Sequence, residues 1–446
     1  MVERRITIIG AGHVGLVTAA CFAEMGHRVV CLDIDAERIR RLHLGEMPFH
    51  EPNLSPLVIE HARTGRLRFS TDYFDAVTGA EFVFIAVATP TMPSGSPDLQ
   101  HVRAAARAVA QAAGEGRPIL ISKSTAPVGI SETLEHVLEA ESNGHGPLPL
   151  VANPEFLREG TAVKDFLEPD RVVLGSADPI ACAEVASLYE PLGCPILYTD
   201  IKSAEMVKYA SNAFLATKIS FINEIAGVCE KVGADVRDVA NGMGMDPRIG
   251  PSFLSAGIGF GGSCLPKDVK ALSHLAAVYG SHPQLLNAVL EINSEQRRRV
   301  VSRLRSVLGG LRGARIAILG LSFKPGTDDI RDAPALDLIR LLQYEEAEVR
   351  ACDPVAIDAV RPSFPDLFYD TDPIEVAAGA DAVVVTTEWP EFGEIELGRL
   401  RDVMRTPVIA DGRNVFDAAD VRRHGFVYLG TGVPDDVNAP AVRVGV

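Results

Sequence analysis

Long apolar runs are missing from this chain of 446 residues. No stretch of about 18 or more uncharged apolar residues occurs, whereas a membrane-spanning helix needs about 20. The N-terminus comes nearest to a secretory signal, because Arg4 and Arg5 precede an apolar stretch that reaches Ala23. Glycines and a histidine interrupt that stretch where a signal would be continuous. We therefore predict no membrane partner and a cytoplasmic location.

Cysteine is scarce and scattered. The chain has seven cysteines, an odd number, and no two of them form a CxxC pair. This usage argues against a disulfide framework and against a zinc site, so no metal site is predicted. We expect most of the cysteines to be small buried residues, and only one of them needs a chemical explanation.

Basic residues are too few to balance the acidic ones. The chain has 43 Lys and Arg against 59 Asp and Glu, which gives a formal net charge of −16. A protein that binds nucleic acid needs a basic face, so no nucleic-acid partner is predicted. An anionic small ligand is compatible with this charge if its site supplies Arg and Lys locally.

What the first half of the chain does contain is an alternation of short β-branched runs with longer helical patterns. This alternation is typical of parallel sheets with crossover helices. The runs are apolar almost throughout, as strands are when helices cover both faces of a sheet. The predicted strands of this half are residues 6–9, 29–32, 82–87, 119–122, 148–152 and 171–174.

The middle of the chain is helical. One long helix without proline is predicted over residues 203–232, and more helix over 269–308. A long amphipathic helix usually needs a partner to cover it. We therefore predict a homodimer through the central helices, with a connector inside one chain as the alternative.

The last third of the chain repeats the opening theme. Arg315-Ile316-Ala317-Ile318-Leu319-Gly320 resembles Arg5-Ile6-Thr7-Ile8-Ile9-Gly10, and further strands are predicted at 348–352, 382–386, 408–410 and 426–429. The predicted fold is α/β, with two Rossmann-like doubly wound parallel-sheet domains joined by a long central helical segment. The predicted domains are 1–202, 203–308 and 309–446. The last domain lacks a glycine triplet, so we expect it to hold something other than a dinucleotide.

A glycine-rich turn follows the first predicted strand. Gly10-Ala11-Gly12-His13-Val14-Gly15 has GxGxxG spacing and opens a helix. The first glycine permits the tight turn, the second lets backbone approach a pyrophosphate, and the third permits close helix packing. Asp33 ends the second strand, where its carboxylate can accept both ribose hydroxyls and would repel a 2′-phosphate. The pattern predicts NAD rather than NADP, with a purely structural turn as the alternative.

Three further residues are candidates for the cofactor site. Arg38 can stack near the adenosine, but a solvated helix charge explains it equally well. Thr89 and Thr125 follow predicted strands, and ligands gather at the carboxyl ends of such strands. Turn-forming hydroxyls explain these two threonines almost as well.

Residues 259–268, with the sequence GFGGSCLPKD, form the most unusual stretch of the chain. Its glycines allow close backbone approach to a ligand, and Pro266 suits the first turn of a helix. Cys264 would lie near that helix N-terminus beside Lys267, where a thiolate is favoured. Asp268, four residues later, would share its face. A buried inert cysteine is the alternative.

Two further pairs carry polar groups at helical spacing. Glu155 and Glu159 follow a strand, and in a helix they would point one way, so that one can act as a general base. A solvated ion pair with Arg158 is the alternative. Lys208 and Asn212 lie on the long predicted helix, and a lysine near a buried site can stabilise an oxyanion or exchange a proton. A surface lysine is the alternative.

Taken together, these motifs resemble those of the UDP-glucose/GDP-mannose dehydrogenase family over essentially the whole chain. Each motif alone can arise by chance, but their joint occurrence in this order is highly specific. The motifs are GAGHVG from Gly10, KSTAPVG from Lys123, NPEFLREG from Asn153, Lys208 with Asn212, GFGGSCLPKD from Gly259, and FKPGTDDIR from Phe323.

The resemblance implies an NAD-dependent enzyme that oxidises the C6 primary alcohol of a nucleotide-sugar by four electrons, using two NAD in sequence. Glu168-Pro169-Asp170-Arg171 looks more like the UDP-glucose branch. UDP-glucose, oxidised to UDP-glucuronate, is therefore the implied substrate, and GDP-mannose, dTDP-glucose or another nucleotide-hexose is the alternative. The first domain would then bind NAD, the second would form the dimer, and the third would bind the nucleotide-sugar.

Matched residue by residue, the resemblance implies that Cys264 is a nucleophile that forms a thiohemiacetal and then a thioester. Glu155 would be the base acting on water, and Lys208 an acid/base and oxyanion partner. Asn212 and Asp268 would support the chemistry, and Thr125 would help to place water. The implied cofactor-binding residues are Gly10, Gly12, His13, Val14, Gly15, Asp33, Arg38, Thr89, Thr125, Glu159 and Arg331.

The resemblance also implies a nucleotide-sugar site. Arg248 would reach across a dimer interface, while Lys324 and Arg413 would offset the diphosphate charge. The implied substrate-binding residues are Phe156, Leu157, Arg158, Lys208, Asn212, Arg248, Ser255, Gly257, Gly259, Gly261, Phe323, Lys324 and Arg413.

Two other classes of function stay open from sequence. A two-electron hydroxyacid dehydrogenase can join a nucleotide domain to a long helical dimer segment, but it needs no nucleophilic cysteine and yields one NADH per substrate. A nucleotide-sugar or NAD sensor that kept the fold would produce no NADH. The presence of Cys264, Lys208 and Glu155 together speaks against a sensor.

Overall fold

The computed structural model describes residues 2–90, 92, 96–125, 128–141 and 146–434. The chain divides into two compact units, residues 1–211 and 212–446. Each unit contains one mostly parallel sheet flanked by helices. The finer division into three domains, with boundaries after residues 202 and 308, stays a prediction.

The first unit is built on an eight-stranded sheet within the described residues, with the order β3-β2-β1-β4-β5-β6-β7-β8. Neighbouring strands are parallel except β6 and β7, which pair antiparallel. Both faces are covered, as shown by β4, whose four residues are all buried. The strands are β1 Arg5–Ile9, β2 Arg28–Leu32, β3 Leu67–Ser70, β4 Phe82–Ile85, β5 Ile119–Ser122, β6 Leu150–Ala152, β7 Val172–Gly175 and β8 Ile196–Thr199.

Helices cover this sheet, and aspartate side chains cap the N-termini of several of them. Asp35 accepts hydrogen bonds from backbone N–H groups at the start of α2, and Asp178 does the same for α8. The helices are α1 His13–Glu24, α2 Ala36–His43, α3 Leu54–Arg63, α4 Tyr73–Val77, α5 Gln100–Ala113, α6 Ile130–Ala140, α7 Ala162–Leu167 and α8 Pro179–Tyr189, followed by a 3₁₀ turn over Glu190–Leu192.

The long central helix is confirmed. It is α9, Ile201–Val232, and it contributes residues to both units. The helix predicted over 269–308 is instead two helices, α11 Leu265–Val278 and α12 Gln284–Leu308, after a shorter α10 at Val236–Gly244. Gly280 has a φ of +76° and Pro283 precedes α12 directly, so these two residues interrupt the helical run.

The second unit contains a six-stranded sheet, parallel throughout its described pairs, with the order β11-β10-β9-β12-β13-β14. Its strands are β9 Arg315–Leu319, β10 Glu348–Cys352, β11 Phe368–Asp370, β12 Ala382–Val385, β13 Val408–Asp411 and β14 Val427–Gly430. Its remaining helices are α13 Pro334–Tyr344, α14 Ile357–Val360, α15 Pro373–Ala377, α16 Pro390–Gly393, α17 Leu397–Val403 and α18 Ala418–Arg423.

The predicted fold class is therefore confirmed: two doubly wound α/β sheets with a helical segment between them in sequence. In each sheet the order reverses beside the first strand, β1 in the first unit and β9 in the second. Ligands of such sheets bind outside the carboxyl ends of the strands at this reversal. No helix among the described residues is long and apolar enough to cross a membrane.

Candidate active site

The glycine turn predicted for a dinucleotide lies at the reversal point of the first sheet. Gly10 follows β1 with a φ of +105°, and a Cβ there would lie 2.6 Å from the carbonyl oxygen of Ala86. A Cβ at Gly15 would overlap the carbonyl oxygen of Gly10, so α1 could not pack this closely with any other residue. At Gly12 no described atom lies within 4 Å of such a Cβ. The turn is thus tight on its inner side and open where a pyrophosphate would approach.

Asp33 stands directly after β2 and is buried. Its Oδ2 accepts the Ala11 N–H at 2.7 Å and lies 2.8 Å from Arg38 Nη1, while its Oδ1 accepts the Asp35 N–H at 2.9 Å. A carboxylate can accept about four hydrogen bonds, so capacity is left for a ribose hydroxyl. Arg38 pairs with Asp33 and is therefore not simply a solvated helix charge, and its stacking near the adenosine stays a prediction. The turn and this carboxylate fit NAD.

Glu51, which the sequence interpretation missed, holds this turn in place through His13. Glu51 has a fully buried side chain, and its Oε2 lies 2.8 Å from Nε2 of His13. Glu51 also accepts the N–H groups of Gly160 at 2.7 Å and Ala162 at 2.9 Å. His13 is further held by stacking on Phe49, with ring centroids 4.5 Å apart. Glu51 therefore joins the turn to the segment that follows Glu159.

Of the other predicted cofactor residues, Val14, Thr89 and Glu159 lie in the first unit and Arg331 lies in the second. Thr89 is buried, and its Oγ1 donates to the carbonyl oxygen of Thr125 at 2.6 Å, which joins the ends of two neighbouring strands. Val14 lies in α1 and packs against the core, and Glu159 is buried. Arg331 belongs to the second unit, where its Nη2 lies 2.5 Å from Asp329 and its side chain is 62% exposed.

The carboxyl ends of β5 and β6 bring three predicted catalytic residues together in the first unit. Lys208 Nζ lies 2.8 Å from Oε1 of Glu155, and both side chains are buried. Thr125 Oγ1 donates to the same oxygen at 3.4 Å, and the Leu157 N–H donates to Oε2 at 2.6 Å. Burial opposes ionisation of Glu155, but Lys208 and the Leu157 N–H outweigh burial and hold its pKa below the usual value. Glu155 is thus an ionised carboxylate in a buried site.

The segment that carries Glu155 corrects one expectation. Residues 153–158 form an irregular loop rather than a helix, so Glu155 and Glu159 do not share a helical face. Arg158 does not pair with either glutamate; its Nη2 lies 2.5 Å from Asp165, and its side chain is 65% exposed. Phe156 lies with its ring centroid 3.7 Å from the Arg171 guanidinium and 5.5 Å from Lys208 Nζ.

Lys123 is a second residue that the sequence interpretation did not assign to the site. Its ammonium is buried and donates to Oδ1 of Asn153 at 3.0 Å, with the Tyr189 hydroxyl at 3.5 Å. Burial lowers the pKa of Lys123 to about 8; Glu155 raises this pKa and Lys208 lowers it further. The only sequence signal was its position directly after β5 in the KSTAPVG motif, of which Ala126 and Pro127 lie outside the described residues.

In the second unit, Cys264 occupies the position that caps the N-terminus of α11, as predicted. Its Sγ lies 3.4 Å from Oγ of Ser263, and the residue is partly buried. Its carbonyl oxygen accepts the N–H of Asp268 at 2.9 Å. Asp268 is fully buried and accepts from Nδ2 of Asn212 at 2.6 Å and from Lys267 Nζ at 2.7 Å. A half-buried thiol at a helix N-terminus is a setting that favours the thiolate.

The glycines before Cys264 are explained by packing within the unit. A Cβ at Gly257 would lie 2.5 Å from the Gly412 carbonyl oxygen, and one at Gly259 would lie 2.5 Å from Asn293 Oδ1. A Cβ at Gly261 would overlap the carbonyl oxygen of Asp332. Each of these glycines is already required for the loop to pack against its own unit, and their predicted contact with a ligand stays a prediction.

This packing brings several predicted substrate-binding residues together. Arg413 has a largely buried side chain, and its guanidinium donates to the carbonyl oxygens of Thr386 at 2.9 Å and Phe323 at 3.4 Å. Lys324 Nζ lies 5.6 Å from the centroid of the Phe323 ring. That ring also bounds the loop, since a Cβ at Gly262 would lie 2.7 Å from it. One aromatic face and two cations thus lie together in the second unit.

The remaining two predicted residues lie on the surface. Ser255 is exposed. Arg248 is 87% exposed at its side chain and pairs with Asp246 at 2.6 Å. Their predicted roles toward a substrate stay predictions. Across the described residues, no group of three or more His, Cys, Asp and Glu side chains is arranged to hold a metal ion.

Comparison with protein families gives matches along most of the chain. Three models of the UDP-glucose/GDP-mannose dehydrogenase family match: its NAD binding domain at residues 4–193, its central domain at 202–295, and its UDP binding domain at 317–418. The prediction of NAD as cofactor is thereby confirmed, and so is the prediction of a dehydrogenase.

Individual proteins that are similar to this chain also carry the names of nucleotide-sugar dehydrogenases. UDP-glucose 6-dehydrogenase TuaD of Bacillus subtilis is 44% identical over 432 residues, which cover 97% of this chain and 94% of that protein. The structure of a UDP-glucose dehydrogenase from Pyrobaculum islandicum superposes with a TM-score of 0.91 at 37% identity, covering 97% of this chain and 98% of that one. A UDP-D-ManNAc dehydrogenase from Pyrococcus horikoshii gives a TM-score of 0.86 at 30% identity, covering 97% of this chain and 100% of that one.

Proposed function

Because this chain belongs to the UDP-glucose/GDP-mannose dehydrogenase family, we propose that it oxidises the C6 primary alcohol of UDP-glucose to the carboxylate of UDP-glucuronate with NAD. The choice of UDP-glucose is supported by the relatives of 44% identity that carry the name UDP-glucose 6-dehydrogenase. The fold alone supports it less, since a UDP-D-ManNAc dehydrogenase shares that fold. GDP-mannose, dTDP-glucose and other nucleotide-hexoses are the alternative substrates.

The observation that carries the proposal is the buried ion pair of Glu155 and Lys208 beside the Thr125 hydroxyl. A two-electron alcohol dehydrogenase needs a proton acceptor but no group to activate water for hydrolysis. A buried, ionised carboxylate can accept a proton from a water molecule, and the neighbouring Thr125 hydroxyl can orient that water. The pair is therefore suited to the last step of a four-electron oxidation, the release of an acid.

The first step would convert the C6 alcohol to an aldehyde. The glycine turn and Asp33 would hold NAD, which supplies the hydride acceptor for this oxidation and, after exchange for a second NAD, for the later one. The hydroxyl proton would be released to solvent, and Lys208 and Asn212, four residues apart on α9, would donate hydrogen bonds to the oxygen that becomes negative as the proton leaves. Asp268 would hold Asn212 in place through the 2.6 Å hydrogen bond from Nδ2.

The Cys264 thiolate would then add to the aldehyde carbon and form a thiohemiacetal, in which the former carbonyl oxygen takes up a proton. That adduct carries a carbon-bound hydrogen again, so a second oxidation gives a thioester. Water activated by Glu155 would attack the thioester carbon, releasing the sugar acid and returning the thiolate. This covalent route divides one difficult reaction into easier steps and prevents escape of the aldehyde.

The nucleotide part of the substrate would bind to the second unit. Lys324 and Arg413 would neutralise the diphosphate, which an acidic protein otherwise repels, and the Phe323 ring would offer an apolar face. Gly257, Gly259 and Gly261 would shape the loop beside them. Phe156, Leu157 and Arg158 of the first unit would also contact the substrate.

A homodimer through the central helices forms part of the proposal. Phe214, Phe221 and Val228 lie seven residues apart on α9 and are 65%, 44% and 52% exposed. Positions at this spacing lie on nearly one face of a helix, with a drift of about 20° per seven residues. A second copy would cover this apolar stripe, and Arg248 would then reach a substrate across the interface.

The dimer is tested by Phe221→Glu, which places a charge in the stripe. Sedimentation equilibrium should show a dimer for the native protein and a monomer for the variant. Phe74→Glu is the matched control, since Phe74 is 63% exposed on α4 and is not a member of the stripe. A native protein that sediments as a monomer would exclude the dimer.

The reaction itself is tested by NADH production from UDP-glucose, dTDP-glucose, GDP-mannose and UDP-N-acetyl sugars. UDP-glucose should give the highest kcat/KM, with two NADH formed per sugar consumed. Faster turnover of GDP-mannose would overturn the choice of substrate. One NADH per sugar would instead favour a two-electron dehydrogenase, and no NADH with any of these sugars would favour a sensor.

A further inference from the structure

The second unit repeats the local geometry of the dinucleotide turn. Gly10 N–H donates to the Leu32 carbonyl oxygen at 2.6 Å, and Gly320 N–H donates to the Cys352 carbonyl oxygen at 2.8 Å. Their φ angles are +105° and +101°. Both glycines follow the strand at which the sheet order reverses, β1 and β9.

The carboxylate after the second strand is repeated as well. Asp33 accepts the N–H of Ala11 at 2.7 Å, and Asp353 accepts the N–H of Leu321 at 2.7 Å. In both units the donor is the residue after the turn glycine, and the acceptor directly follows the strand paired to the first. Asp353 is therefore the counterpart of Asp33.

The two carboxylates differ in what else they bind. Oδ2 of Asp353 also lies 3.1 Å from the Ser322 N–H and 3.3 Å from Nε1 of Trp389, the chain's single tryptophan. Oδ1 accepts the N–H groups of Val355 at 2.9 Å and Ala356 at 2.8 Å. Five N–H donors fill the roughly four acceptor positions of a carboxylate, and Asp353 is fully buried. Unlike Asp33, it has no capacity left for a ribose.

The segment held by Asp353 leads directly to predicted substrate contacts. Leu321 and Ser322 precede Phe323 and Lys324, and Ser322 Oγ donates to the Lys324 carbonyl oxygen at 3.0 Å. Ser322 occupies the place of the second fingerprint glycine, and no helix begins here as α1 does after Gly12. The carbonyl oxygen of Phe323 in turn accepts from Arg413.

We propose that Asp353, the counterpart of the ribose-binding Asp33, is a positioning residue for the nucleotide-sugar: it fixes the Leu321–Ser322 backbone so that Phe323, Lys324 and Arg413 are arranged to bind the nucleotide diphosphate. This rests on the proposed function, because it assumes that those three residues bind the nucleotide. Asp353 itself would touch no substrate. Equivalent carboxylates would then serve different purposes, cofactor binding in the first unit and anchoring of a binding loop in the second.

The test is Asp353→Asn, which keeps the shape but turns one acceptor atom into a donor that faces N–H groups. Leaving such a group unsatisfied costs about 1–3 kcal/mol, which corresponds to a rise of about five- to 150-fold in Kd if the binding-competent loop is depopulated accordingly. Isothermal titration with UDP should show this rise, while the Kd of NAD stays unchanged. In steady state, KM for UDP-glucose should rise more than kcat falls.

Asp381→Asn is the matched control. Asp381 is also fully buried in the second unit and accepts the Arg315 N–H at 2.9 Å, but it precedes β12, at the opposite strand end from the loop. It should lower the melting temperature without weakening UDP binding. If Asp353→Asn fails to fold, Ser322→Ala is the deciding variant. It removes the hydroxyl that donates to the Lys324 carbonyl oxygen at 3.0 Å and lies 3.4 Å from Asp353 Oδ2, and it should weaken UDP binding.

Each outcome separates the inference from the function on which it rests. A native protein that does not bind UDP overturns the proposed function. A native protein that binds UDP, with Asp353→Asn binding it equally well, overturns only the role of Asp353. An equal loss of UDP affinity in Asp381→Asn also overturns that role, because the effect would then be one of general stability.

Discussion

Replacing Lys208 with methionine should destabilise the first unit far more than the usual loss of an ion pair. Lys208 Nζ lies 2.8 Å from Glu155 Oε1, and the two side chains are only 5% and 3% exposed. Methionine is similar in length but uncharged, so the variant leaves a buried carboxylate without its cation. Removing one partner of a buried pair costs about 3–5 kcal/mol.

The expected fall in Tm and its dependence on pH both follow from the burial of this ion pair. In a domain of this size 1 kcal/mol lowers Tm by about 2–4 °C, so Tm of the first unit should fall by about 6–20 °C at pH 7. The pKa of Glu155 is depressed in the folded protein, chiefly by Lys208 acting against burial. Ionised Glu155 therefore contributes stability above its unfolded pKa of about 4.3, and that contribution is lost as pH falls through the folded pKa. The difference between native protein and variant should accordingly shrink in acid.

Thermal unfolding followed by circular dichroism at pH 7 and at lower pH measures this difference. Lys202→Met is the control, because Lys202 lies on the same helix and pairs at 2.6 Å with Glu132, where both side chains are 61% exposed. An exposed pair contributes about 0–1 kcal/mol, so Tm should change by at most about 4 °C. A Lys208→Met protein that melts no lower than Lys202→Met would refute the reasoning.

Two further predictions concern the first unit. Burial lowers the pKa of Lys123 to about 8. Between pH 8 and the unfolded pKa of about 10.4, the unfolded chain therefore binds more protons than the folded one, and the native protein should gain stability relative to Lys123→Met as the pH rises over that window. Thermal melts at pH 8 and pH 10 check this, and a constant difference in Tm between the two proteins would contradict it. Asp33→Ala should raise the Kd of NAD about ten- to a hundredfold, because it removes charge-assisted hydrogen bonds to the ribose. It should also reduce the ratio of the Kd of NADP to the Kd of NAD. Fluorescence titration with both cofactors checks this, and an unchanged Kd of NAD would exclude a ribose contact.

The sequence predicted the interior strands of both described sheets, but of their four edge strands it predicted β14 alone. The missed strands are β3, β8 and β11, and each lies at the edge of its sheet. An edge strand is partly exposed, as Tyr198 at 56% and Phe368 at 45% show. The search for continuous apolar runs detects strands covered on both faces, so a half-exposed run escaped it.

Local sequence patterns also identified individual site residues better than they identified which residues form ion pairs or hydrogen bonds with them. The helix N-terminus at Cys264 was readable because Pro266 marks a first turn, and Asp33 was readable from its spacing to the glycines. The ion pair between Glu155 and Lys208 joins residues 53 apart in sequence and was not readable. Lys123 and Glu51 were missed for the same reason, since burial is what makes an ordinary charged residue important, and burial depends on the tertiary fold.

The covalent role of Cys264 is tested most directly by the intact mass of the Glu155→Gln variant. Glutamine cannot accept a proton from water, so after incubation with UDP-glucose and NAD the thioester should persist, and the protein mass should increase by one nucleotide-sugar acyl group. The increase should be absent from Glu155→Gln combined with Cys264→Ala. An unmodified Glu155→Gln protein that releases UDP-glucuronate at the native rate, or an adduct that survives the loss of Cys264, would contradict the account.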